Sequence, residues 1–153
     1  MPWEDVALNR ELSPQEVVKP LAQVFGIDEQ GITIELGKFT GNVGESTLVV
    51  CSFEKMKGDF PTHLGISPWR AEFLPKETGG GKTIGRLCDQ LNSWALVTGH
   101  YPSPYVWVLI RGVGDYQFVR VHPDKLDQNY PDAIELEITE YLEKFTDVSE
   151  NDI

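Results

Sequence analysis

With 153 residues, 41 % of them apolar and 24 % charged, the chain has the make-up of one globular domain, spanning 1–153 and long enough to bury a core. Its longest apolar run, Tyr105–Ile110, is far short of the roughly 20 residues a membrane helix needs, and Met1-Pro2-Trp3-Glu4-Asp5 lacks the basic flank and apolar stretch of a signal peptide, so the cytoplasm is the expected location. The net charge is −11, and from Asp124 to Ile153 ten acids face two lysines, a balance of −8 that repels phosphate backbones and argues against nucleic acid as a partner; such a surface either attracts basic segments of partner proteins or is simply a solvated face.

In chain order, Ser13-Pro14-Gln15-Glu16 opens the first helix with an N-cap serine, a proline at the first helical position and a glutamate at N3. Val17, Val18, Leu21, Ala22 and Phe25 form its apolar stripe, Gly26 ends it, and Pro20 is expected to kink or interrupt it. Ile32-Thr33-Ile34-Glu35-Leu36 alternates as a half-buried strand, and Ser46–Phe53 is a second; the turn-rich residues 40–45 between them predict an antiparallel hairpin. Residues 54–82 are the least regular part, with Trp69–Leu74 as a candidate third, edge strand bounded by Pro68 and Pro75.

The second helix carries Ile84, Leu87, Cys88, Leu91, Trp94 and Ala95 at spacings of three and four, with Gly99 as its stop. A second hairpin pairs Tyr105–Arg111 with Tyr116–His122 around Gly112-Val113-Gly114-Asp115. A last helix is expected from near Asp132, with Ile134, Ile138, Tyr141, Leu142 and Phe145 on one face, although Ala133–Thr139 also alternates like a strand. Val148–Ile153 reads as a frayed acidic tail. The fold class is therefore α+β: an antiparallel sheet from two hairpins packed against helices, in the order α-β-β-(β)-α-β-β-α.

Catalytic signatures are sparse. Gly79-Gly80-Gly81-Lys82-Thr83 ahead of a helix invites a phosphate-loop reading, but the motif wants glycine where Lys76 stands and a buried strand where Leu74-Pro75 lies. His63, His100 and His122 are scattered, with none paired at metal-binding helical spacing. Cys51 and Cys88 read as buried thiols. No cofactor and no metal is expected.

The aromatic residues carry more. Tyr105–Ile110 is apolar at nearly every position, and a strand apolar on both faces must be covered on both. One cover is a helix of the same chain and the other a partner, which nominates Trp94, Tyr105, Trp107 and Val108 as an apolar contact, with Glu137, Glu140 and Glu143 as its charged rim. The function expected is a non-catalytic protein-binding or chaperone-like module. The alternatives are a nucleotide- or small-molecule-binding enzyme using Gly79–Thr83 and His122, and a subunit or assembly factor of a larger complex.

Leu87, Leu91, Asn92 and Trp94 on the second helix, the hairpin of Tyr105–Ile110 and Phe118–Val121, and the acidic segment Ala133–Phe145 together resemble the type III secretion chaperones and the related YbjN-like proteins. Leu91-Asn92-Ser93-Trp94 is similar to a Leu-Asn-x-aromatic helix ending of the latter. The resemblance implies a small acidic α+β fold, a homodimer built on the second hairpin or second helix, and binding of unfolded or extended segments of other proteins.

Overall fold

Ser13 and Glu16 start a helix as their spacing predicts. The Ser13 backbone N–H donates to the Glu16 carboxylate at 2.6 Å, and this bond holds the Glu16 carboxyl below its usual range. The helix, α1 (Pro14–Phe25), buries Val17, Leu21 and Ala22 and ends at Gly26, which takes a left-handed φ of 67°. It runs unbroken through Pro20. One missing donor is tolerated here because the stripe on either side of the proline is anchored in the core.

The computed structural model describes residues 3–37, 43–70, 80–98, 102–121, 135–136, 143–148 and 153. Its strands are β1 (Glu4–Leu8), β2 (Ile32–Leu36), β3 (Val49–Lys55), β4 (Lys57–Gly58), β5 (Thr62–Pro68), β6 (Ala95–Val97), β7 (Val106–Gly112), β8 (Asp115–Arg120), β9 (Glu135–Leu136) and β10 (Glu143–Asp147), and its second helix is α2 (Gly81–Leu91). Eight strands form one sheet in the order β10-β8-β7-β6-β1-β5-β3-β2, while β4 and β9 pair separately. The fold is α+β with a mostly antiparallel sheet, and the helix–strand succession follows the expected one in outline.

Several details differ. β2 and β3 run parallel, with Ile32 opposite Val49 and Leu36 opposite Phe53. Parallel strands cannot be joined by a tight hairpin turn, so the antiparallel hairpin expected here is not formed. The third strand is β5, at Thr62–Pro68, ahead of the predicted Trp69–Leu74; residues 71–79 lie outside the described ones. α2 stops at Leu91, because Asn92 adopts a left-handed φ of 50°, and Ala95 continues as strand β6. At the C-terminal end the expected helix is replaced where residues are described. Glu143–Asp147 extends as β10 beside β8, and Glu135–Leu136 pairs with β4. Val148 and Ile153, within the span expected to fray, are buried in the core.

The sheet has two differently covered faces. Val6, Leu8, Cys51, Leu64, Ile66, Val108 and Ile110 pack under α1 and α2. The opposite face carries a smaller cluster of Ala7, Phe60, Leu96, Leu109, Val119 and Val121, with Trp107 against it. Both faces of the strand at 106–110 are thus covered within one chain: Val108 and Ile110 beneath the helices, Leu109 beside Phe60 on the other side. The partner cover that its apolar sequence suggested is not needed for Leu109, which is only 3 % exposed.

Candidate functional site: a polar hollow on the sheet face away from the helices

Strand pairing assembles this site. On β1, Val6 and Leu8 point toward the helices, so Asp5 and Ala7 point away. On β5, Leu64 and Ile66 point in, so His63 and Gly65 point away, and on β3 the same parity turns Ser52 and Glu54 outward. Register then joins them. Glu54 lies directly opposite His63, His63 opposite Ala7, and Gly65 is flanked by Ser52 and Asp5. Gly65 and Ala7, the smallest residues of these two rows, leave room between the larger ones. The result is a cavity of about 290 Å³ lined by Asp5, Ser52, Glu54, His63, Leu96 and Trp107, among others.

Its chemistry is one-sided. Among the described residues neither Asp5 nor Glu54 has an ion-pair partner; Arg111 and Asp115 pair at 2.9 Å elsewhere, on the β7–β8 hairpin. Partial burial raises the Asp5 carboxyl above its usual range, as does the neighbouring Glu54, while His63 pulls the other way. Burial lowers the His63 pKa, opposed by a hydrogen bond to the Phe60 backbone and by the Asp5 charge. That bond favours protonation, so the ring donates to the Phe60 carbonyl and keeps a lone pair on the other nitrogen. His63 Nε2 is buried and has no hydrogen-bond partner among the described residues. Also among the described residues, no group of three or more His, Cys, Asp or Glu side chains is placed to hold a metal ion.

The residues nominated from sequence are dispersed. Trp107 is half-buried at the cavity wall, its indole N–H donating to the Pro104 carbonyl at 2.8 Å. Tyr105 is half-buried and Val108 is wholly in the core. Trp94 is 46 % exposed in a separate polar cleft, where the Arg111 guanidinium stacks 5.7 Å from its ring centre. Glu137 and Glu140 lie outside the described residues, and Glu143 opens β10 opposite Arg120 in backbone register.

The start of α2 does not present an open anion cradle. Gly80 lies under the Trp3 ring and Gly81 under the Ile153 side chain, so that a Cβ on either would strike them. Lys82 is exposed, and Gly79, His100 and His122 lie outside the described residues. Cys51 and Cys88 are buried thiols, each pushed up to about 12 chiefly by that burial and so inert as nucleophiles.

Asp5, Glu54 and His63 were not nominated as a group by the sequence. The alternation of Leu64 and Ile66 marks His63 as pointing away from the core, but only the pairing of β5 with β3 and with the distant β1 shows what it faces. No protein-family model, curated protein or solved structure matches the chain. Among the described residues no helix is long and apolar enough to cross a membrane.

Proposed function

We propose that this chain is a non-catalytic protein-binding module that holds a segment of a partner against the sheet face away from the helices. The observation that carries the reading is the cavity itself. It is preformed, walled on one side by Leu96 and Trp107 and on the other by polar groups, the mixture by which binding sites combine affinity with orientation. The net charge of −11 would speed encounter with basic partners. A nucleotide enzyme built on the α2 start is the weaker reading, since a phosphate there would have to displace Trp3 and Ile153. A permanent subunit role would use the same face and differ in lifetime, which co-purification at dilution separates from transient capture.

The test is selection of short peptides from a random library on the wild-type chain, followed by rebinding to Trp107→Asp and Trp94→Asp. Retention lost with Trp107→Asp and kept with Trp94→Asp supports binding at the cavity. If no peptide is enriched over a bare surface, or if Trp107→Asp retains them all, the reading fails. Sedimentation of the same two variants shows whether either tryptophan also holds a second copy, as the chaperone resemblance implies.

A further inference from the structure

We infer that the group this cavity receives is the ammonium or guanidinium head of a lysine or arginine side chain in the partner segment. The inference rests on the partner-segment reading above and adds the chemistry that selects the segment.

Three observations converge. First, Asp5 and Glu54 bring two carboxylates to one hollow with no cation beside them among the described residues. Carboxylates only accept hydrogen bonds, so the complementary group is a donor, and a charged donor makes the stronger bond. Second, His63 stands on the same wall, opposite Glu54 and diagonal to Asp5, with Nε2 buried and without a hydrogen-bond partner among the described residues. Burial keeps the ring from charging, so it sets no positive charge against an incoming cation. An ammonium has three donors and a guanidinium five, so either can bond a carboxylate of this wall. Third, Ala7, Leu96 and Trp107 line the rest. They suit the methylene stem of a long basic side chain.

Size and charge exclude the competing occupants. At about 290 Å³ the cavity stands at the lower limit of small-molecule sites, matched to a side chain and not to a nucleotide. An anion would meet two carboxylates. A metal ion would want a set of converging ligands that the described residues do not supply.

The experiment uses the full chain and capped short peptides with a central lysine, arginine, norleucine or citrulline, together with free n-butylamine. Binding is followed through the His63 ring and Trp107 indole resonances by NMR. The lysine and arginine peptides are expected to move both signals and to bind at least about tenfold more tightly than their norleucine and citrulline counterparts. Asp5→Asn and Glu54→Gln should each weaken the lysine peptide by about tenfold, with circular dichroism confirming that both variants fold. Equal binding of lysine and norleucine peptides would remove the cation while leaving the segment reading intact. Binding of n-butylamine as tight as the lysine peptide would make the ligand a free amine and overturn the peptide source. No response to any basic peptide, alongside successful library selection, would place the partner elsewhere on the chain.

Discussion

Asp5 and His63 sit diagonally across the antiparallel β1–β5 ladder, on the sheet face that the helices leave uncovered. Each is felt by the other: the carboxylate raises the imidazole pKa and the imidazole lowers that of the carboxyl. Desolvation outweighs this attraction at His63, whose pKa stays below its ordinary value of 6.5. Removing the charge by Asp5→Asn should therefore lower the His63 titration further, as read from its ring proton by NMR. An upward movement would mean that the two groups do not share a face. Because the folded chain resists protonating His63, its contribution to stability is complete above pH 6.5 and is lost as the pH falls through the depressed folded value.

Glu4, one residue earlier, makes the opposite prediction. It has the parity of Val6 and Leu8, and burial, with a smaller effect of the Asp5 charge, lifts its carboxyl from 4.5 to about 7. Its contribution to stability is complete below pH 4.5 and is lost as the pH rises through 7. Glu4→Gln should leave stability at pH 4.5 nearly unchanged. At pH 8 it should raise it by on the order of 2 kcal/mol, seen as a higher urea midpoint. A variant less stable than the wild type at pH 8 would show that the ionised carboxylate has a partner it needs.

Gly85 sets the distance between α2 and the β7–β8 hairpin. A Cβ built there comes within 2.9 Å of the Val113 backbone N and Cα and 3.0 Å of the Gly112 carbonyl carbon. Backbone cannot rotate aside as a side chain can, so Gly85→Ala should force helix and hairpin apart. The cost is about 1–3 kcal/mol of overpacking, partly offset by about 1 kcal/mol of helix propensity. Urea unfolding should show a lower midpoint with unchanged slope. An alanine variant as stable as the wild type would mean that the helix does not approach the turn this closely.

What was legible from sequence is what local chemistry decides. Ser13 and Gly26 bound α1 because a hydroxyl-bearing N-cap and a residue tolerant of positive φ act within one turn of chain. Val113-Gly114 turns the β7–β8 hairpin for the same kind of reason, Gly114 taking a φ of 77°. β6 was hidden because Trp94 and Ala95 keep the helical spacing of Leu91, and only the left-handed turn at Asn92 breaks it. At Phe145 the same residues satisfied a helical stripe while the chain pairs as β10, since alternation and a 3.6-residue period are hard to separate over a short span. The direction of β2 against β3 and the neighbours of β1 were beyond local signals, because period-two alternation says which face a residue takes and nothing about which strand lies beside it.

Sequence by itself determined the α+β class, helix α1, the start and body of α2 as far as Leu91, and the second hairpin, all consequences of spacing within a few residues. Tertiary structure alone decided that Asp5, Glu54 and His63 meet. Glu54 and His63 face each other across the neighbouring strands β3 and β5, Asp5 comes from far earlier in the chain, and what brings the three together is the burial of Val6, Phe53, Leu64 and their neighbours on the other side of the sheet.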